Sequence, residues 1–276
     1  MSGNSSLIVF QRAEPQRLRQ EALKAVPADE HDELGLKLGA GANHPRAWVG
    51  PPFVYDMIGG MQFQLLMDLG LREHHRFLDV GCGSLRLGRF ALMYLLRGRY
   101  FGVEPNREIL NAGVKMHFGA DMADSQVIAA KAPTFTHNTD FDFSFTTGPV
   151  DYIFAQSIAS HTGIDLTHRL LSSIAGAMHE ESIAMVTYIR CDDPRKSNTE
   201  DGWFYPECVT YTDSKFGEMA RDHELNAYRT VWPMSNIRPD GLITSQHPTI
   251  LTKSEWKPSL GQRMSAALFE GVQKIN

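Results

Sequence analysis

The chain has 276 residues, 42% of them apolar, enough for one generous domain with a substantial core. A formal charge of −5 and a pI near 6.1 give no electrostatic footprint for nucleic acid, and no apolar run reaches the roughly 18 residues that a membrane helix needs. Cys82, Cys191 and Cys208 are an odd, widely spaced set with no CxxC or CxxxH spacing, which indicates neither a disulfide framework nor a zinc site and fits a reducing, cytoplasmic setting.

Residues 1–47 are rich in Arg, Glu, Gln, Ala and Gly; 14–25 can form a short amphipathic helix, and a loop follows over 35–45. They read as a partly ordered, helical N-terminal extension. No basic segment followed by an apolar stretch opens the chain, so no export signal is expected. Over 55–69, Met57, Ile58, Met61, Phe63, Leu65, Leu66 and Met67 recur at helical intervals despite Gly59 and Gly60, and Gly70 ends the run. A strand is predicted at 76–80, then a helix over 84–97 burying Leu85, Phe90, Leu92, Met93 and Leu96, then a strand at 99–104. Asn106 can cap a helix over 107–118, strands follow at 133–137 and 150–155, and Asp165 caps a helix to Met178. A fifth strand (182–189), a long segment (190–210), a helix (214–223), a sixth strand (226–232) and, after a Pro/Gly-rich break, a seventh (247–251) complete the domain, which spans 48–256 ahead of a helical tail over 257–276. Strands alternating with helices predict an α/β, doubly wound, mostly parallel sheet with ligands beyond the strands' carboxyl ends; the closing pair without a helix predicts an antiparallel edge.

The most telling stretch is Phe77-Leu78-Asp79-Val80-Gly81-Cys82-Gly83-Ser84-Leu85-Arg86-Leu87-Gly88, with Glu104 closing a second apolar run 21 residues after Gly83. Strand, glycine loop, helix, strand and acid form half of a nucleoside-binding βαβ unit, in which the last carboxylate grips a ribose diol. Dinucleotides and S-adenosylmethionine both fit that outline, and Asp79 separates them. A carboxylate beside the glycine loop repels a diphosphate by about 3 kcal/mol per charge at ~6 Å and an effective dielectric near 20, whereas an ammonium and a sulfonium are attracted there. The spacing Gly81, Gly83, Gly88, with Arg86 where the dinucleotide fingerprint has its third glycine, agrees.

With Asp79-Val80-Gly81-Cys82-Gly83, Glu104, the Asp140 loop and Ala155-Gln156-Ser157 in that order, residues 48–253 resemble a class I, Rossmann-like, S-adenosylmethionine-dependent methyltransferase. Trp48-Val49-Gly50-Pro51-Pro52, Tyr55-Asp56 and Gln62-Phe63 are also similar to a subset of bacterial enzymes of this kind, a likeness that names no substrate. The resemblance implies seven strands in the order 3-2-1-4-5-7-6 with strand seven antiparallel, and S-adenosylmethionine as cofactor. By position it sets Gly81, Cys82 and Gly83 against the methionine part, Asp79 on its ammonium, and Glu104, with Pro105 beside it, on the ribose hydroxyls. Asp140 would accept from the adenine amine, with Asp142 as competitor, and Phe141 would cover the ring. Gln156 would line the methyl-transfer cavity, and Tyr55 and Gln62 would close over the methionine tail. A helix starting at Ser84 would point its N-terminus at the methionine carboxylate, worth ~0.3–1 kcal/mol.

Methyl transfer is an in-line displacement that chiefly needs alignment, plus a base for a hydroxyl or a neutral amine. His161, after strand four, is the candidate base, with Gln156 as its catalytic neighbour; the bland alternative is that His161 caps a helix or binds a backbone carbonyl. The segment 190–210 reads as an acceptor lid or, equally, as a hydrophobic clasp; Tyr188, Arg190, Trp203 and Tyr205 are its candidate substrate-binding residues. Arg72, Arg76, Arg86, Arg89, Arg97 and Arg99 read as solvated helix surface, and His74, His75, His117, His137 and His247 lack metal-ligand spacing. The expected activity is methyl transfer to an O or N atom of a small molecule, with no nucleic-acid or membrane partner, a homodimer compatible and secondary metabolism a suitable setting. The alternatives are an enzyme that cyclises or cleaves the aminobutyrate chain of S-adenosylmethionine, releasing methylthioadenosine, and a non-catalytic S-adenosylmethionine-binding protein.

Overall fold

The computed structural model describes residues 34–205, 207–230, 235–237, 243–257 and 272–276. The helix expected over 14–25 and most of the expected tail lie outside them. The described residues form ten strands: β1 (Phe77–Val80), β2 (Tyr100–Val103), β3 (Thr134–Thr136), β4 (Val150–Ala155), β5 (Met178–Arg190), β6 (Thr210–Tyr211), β7 (Asn226–Arg229), β8 (Ser235–Ile237), β9 (Ile243–Thr252) and β10 (Gln273–Lys274). The helices are α1 (Tyr55–Asp68), α2 (Gly88–Tyr94), α3 (Arg107–Phe118), α4 (Gln126–Lys131), α5 (Ile164–Ala177) and α6 (Asp213–Arg221).

The sheet runs β10-β7-β9-β5-β4-β1-β2-β3, with β6 beside β5 and β8 beside β9. Its centre is parallel, and β9 enters antiparallel between β5 and β7. The expected 3-2-1-4-5-7-6 order is therefore present, extended by the short strands β6, β8 and β10. Gln273–Lys274 pairs with β7 as a strand, not as part of a helical tail. From β1 the chain winds outward through β2 and β3, then returns to β4 on the other side of β1. That reversal opens a crevice above the carboxyl ends of β1 and β4.

Strand alternation divides the core. Leu78, Val80 and Ile153 face the layer that contains Leu170, Leu171 and Phe216 of α5 and α6. Phe77, Tyr100 and Phe154 face the layer with Leu65, Leu92 and Val114 of α1, α2 and α3. The Asn106 side chain accepts from the amides of Glu108 and Ile109, so the predicted cap of α3 is present. Asp165 instead lies in the first turn of α5, whose N-cap is Gly163.

The largest local difference follows β1. The predicted helix over 84–97 is a run of turns up to Leu87 and becomes α2 only at Gly88, because Leu85 sits at φ +62 in the left-handed region. A helix N-terminus at Ser84 is thus absent, and so is the anion site expected there. Close backbone contact holds the turns in place. A Cβ on Gly113 of α3 would lie 2.5 Å from the Ser84 carbonyl, and one on Gly59 of α1 would lie 2.5 Å from the Arg86 carbonyl oxygen. This explains why α1 tolerates a glycine at 59, where any side chain would push the helix off the loop.

Candidate functional site

Asp79 and Glu104 end adjacent strands on one face of the sheet. Register pairs Phe77 with Tyr100 and Asp79 with Gly102, so alternation puts Tyr100, Gly102 and Glu104 on the face of Asp79. The Tyr100 hydroxyl donates to Asp79 Oδ2 at 2.8 Å. Burial pushes the Asp79 carboxyl up to about 7, opposed by this hydrogen bond and by the Arg86 charge, and assisted by Glu104. Glu104 accepts from the amides of Gly83 at 3.0 Å and Asn106 at 2.9 Å; burial raises its pKa while these two bonds lower it. Among the described residues neither carboxylate forms an ion pair.

The loop between them is sealed by protein. Gly81 and Cys82 both donate their amides to the Val103 carbonyl. A Cβ on Gly81 would lie 2.4 Å from Ile158 Cδ1, and one on Gly83 2.5 Å from Val49 Cγ1. Both glycines have positive φ and are required by these neighbours as well as by the turn. Cys82 belongs to the core rather than to a ligand surface: its thiol is buried, and burial followed by the charges of Asp79 and Glu104 pushes its pKa far up. Pro105 is exposed beside Glu104.

Tyr55 does not close over the crevice. Its ring is buried and its hydroxyl donates to the Ser84 carbonyl at 2.9 Å, with His117 Nε2 at 2.8 Å, which locks the upstream segment to the loop. Asp56 adds ion pairs to Arg46 at 2.7 Å and Arg89 at 2.6 Å, and Arg86 donates to the Val49 carbonyl at 2.9 Å. Arg86 and Arg89 therefore act in a clasp and not as solvated helix surface; burial brings the Arg86 pKa down to about 10. Gln62 meets Gln156 from across the crevice, its amide N–H donating to the Gln156 side-chain oxygen. The other Gln62 side-chain polar atom, Oε1, is buried without a hydrogen-bond partner, a desolvation cost that an incoming N–H or O–H would relieve.

The loop after β3 carries Asp140, which is exposed and accepts weakly from the Asp142 amide at 3.4 Å. Asp142 is engaged by the Ser144 amide and hydroxyl, both at 2.9 Å, which leaves Asp140 the freer acceptor. Phe141, at φ +59, is buried with its ring centroid 5.9 Å from that of Trp203.

Beyond β5, the segment expected as a lid is stitched down. Amides of Phe204 and Val209 donate to the carbonyls of His161 and Ser160, and those of Gly163 and Ile164 donate to Gly202 and Glu200. Trp203 and Tyr205 remain 51% and 65% exposed on this fixed backbone. His161 lies edge-on to Tyr205, and its Nδ1 is 2.6 Å from the Glu207 carbonyl. A carbonyl only accepts, so Nδ1 carries the proton and Nε2 keeps its lone pair. Burial lowers the His161 pKa, favouring the neutral ring. Tyr188 and Arg190 depart from expectation. Tyr188 is buried in the core, stacked on Phe216 at 4.2 Å and bonded to Asp213 at 2.7 Å. Arg190 is paired with Asp192 at 2.7 Å and Asp213 at 3.0 Å. Their carboxylate partners hold both away from an acceptor role.

The architecture and strand-end acids define an α/β fold of the class I S-adenosylmethionine-dependent methyltransferase type. Among solved structures, the magnesium protoporphyrin IX methyltransferase of Synechocystis, with bound SAM, superposes with a TM-score of 0.51 at 12% identity, covering 91% of this chain and 100% of that one. An S-adenosylmethionine-dependent methyltransferase from Clostridium acetobutylicum gives 0.49 at 11% identity over 72% of this chain and 91% of its own. No protein-family model matches the sequence, and no curated protein matches it. Among the described residues no group of three His, Cys, Asp or Glu could hold a metal, and no helix is long and apolar enough to cross a membrane.

Proposed function

We propose that this protein binds S-adenosylmethionine in the crevice above β1, β2 and β4 and transfers its methyl group to an O or N atom of a small molecule. The observation that carries the reading is the pair of buried strand-end carboxylates, Asp79 and Glu104, neither of which forms an ion pair among the described residues. The donor set fits this cofactor: Asp79 complements an ammonium, Glu104 a ribose diol, Asp140 the adenine amine, and the unpartnered Gln62 oxygen a further donor. When bound, S-adenosylmethionine supplies an electrophilic methyl group on a sulfonium leaving centre.

The chain's own residues then orient and deprotonate. Gln62 and Gln156 hold the crevice wall, while Val49 and Ile158 exclude water beside the glycine loop. His161, fixed as the Nδ1–H tautomer by Glu207, takes a proton at Nε2 from the acceptor. Trp203 and Tyr205 offer aromatic faces to that acceptor. Labelled S-adenosylmethionine incubated with the protein and a small-molecule cell extract, followed by mass spectrometry, tests the reading. S-adenosylhomocysteine together with a methylated compound is expected; methylthioadenosine alone would reject methyl transfer.

A further inference from the structure

We infer that Tyr100 is the positioning residue for Asp79: its phenol, reaching along the sheet face to the strand end, fixes the carboxylate's direction and favours its ionised form. The assignment of Asp79 to a cationic ligand rests on the proposed function; the effect of Tyr100 on Asp79 does not.

The geometry is specific. Tyr100 is 1% exposed, starts β2 opposite Phe77, and donates to Asp79 Oδ2 at 2.8 Å. Among the described residues this is the carboxylate's one hydrogen bond. Phe77 and Phe135 flank the ring edge-on, with centroids 5.8 and 5.9 Å away, and pack it in place. Gly88 supplies the clearance: a Cβ there would lie 2.6 Å from the Tyr100 hydroxyl. The third glycine of the spacing therefore has a role in this chain that needs no ligand, since it makes room for the phenol that serves Asp79.

The charged and titratable groups facing Asp79 are Tyr100, Arg86, Glu104 and the Cys82 thiol. Burial and Glu104 oppose ionisation; Tyr100 and Arg86 favour it. Removing the phenolic hydroxyl leaves a buried carboxylate with no hydrogen-bond donor, so protonation becomes easier. A charge-assisted bond of this kind corresponds to a shift of about one pH unit or more.

Carboxyl carbon NMR on protein labelled at aspartate tests the inference without any ligand. Asp79, assigned by Asp79→Asn, is expected to titrate near neutrality in the wild type and about one pH unit or more higher in Tyr100→Phe. Gly88→Ala, which crowds the hydroxyl while keeping it, is expected to move the titration in the same direction. An Asp79 titration unchanged in Tyr100→Phe would overturn the inference. Calorimetry with S-adenosylhomocysteine adds the ligand arm: near pH 7 the affinity of Tyr100→Phe is expected to fall about fivefold and recover at higher pH, as a one-unit shift from a pKa of about 7 requires. A shifted NMR titration in a protein that binds no such nucleoside would reject the proposed function while upholding the role of Tyr100.

Discussion

The crevice wall and the proposed acceptor edge are built on different principles. Around Asp79 and Glu104 the protein is sealed: side chains are buried, glycines allow backbones to touch, and the strand-end charges are set by their immediate neighbours. Around His161 a long connection is fastened by backbone hydrogen bonds, yet it leaves Trp203 and Tyr205 more than half exposed. The sealed half can fix the charge and orientation of a constant ligand. The stitched half is fixed in backbone but open in side chain, the arrangement suited to a variable acceptor.

Perturbing each half separately sharpens this contrast. The largest effect is expected from His161→Gln, which should lower turnover about 100-fold or more while methyl-donor affinity by calorimetry changes less than about twofold. Because burial lowers the His161 pKa, wild-type activity should fall only as pH drops through that lowered value and stay flat above it. Glu104→Ala should show the opposite split, weakening nucleoside binding by ~1.5–3 kcal/mol through lost charged hydrogen bonds. Equal affinity in a titration would remove Glu104 from the ribose role.

Asp79 gives a stability counterpart. Its folded pKa is raised from 3.8 to about 7, so the native state binds the extra proton between those values. Its contribution to stability is complete below the lower value and is lost as pH rises through the upper one. Asp79→Asn should therefore raise stability at pH 8 by on the order of a few kcal/mol and by much less near pH 4, measured by denaturant unfolding. The smallest effects separate neighbouring glycines of α1. Gly59→Ala, whose Cβ meets the Arg86 carbonyl, should destabilise by ~1–3 kcal/mol. Gly60→Ala, with open space at its Cβ, should stabilise by ~0.5–1 kcal/mol.

These contrasts follow what the amino-acid order made legible. Apolar runs alternating with helical segments and the Asp79, Gly81, Gly83, Glu104 spacing located the parallel centre and its strand-end acids, because both are local patterns. The alternation Tyr100, Gly102, Glu104 also contained the partner of Asp79, but a tyrosine in an apolar strand reads as core until register is known. The αL turn at Leu85 was hidden, since leucine gives no signal for positive φ and the contact that holds the turn comes from Gly113, far along the chain. Tyr188 and Arg190 looked available because their partner, Asp213, is recruited only when α6 packs beside β5. The fixed state of the segment after β5 likewise depends on long-range backbone pairing, which leaves no local trace.

The central claim is that the crevice above β1 and β2 is built for a cationic nucleoside and against a polyanionic one. Calorimetric titration of the wild-type protein with S-adenosylmethionine and, in parallel, with a nicotinamide dinucleotide tests it most directly. Saturable binding of the sulfonium compound, lost in Glu104→Ala, with no heat from the dinucleotide is the predicted result; saturable dinucleotide binding with no response to S-adenosylmethionine would contradict it.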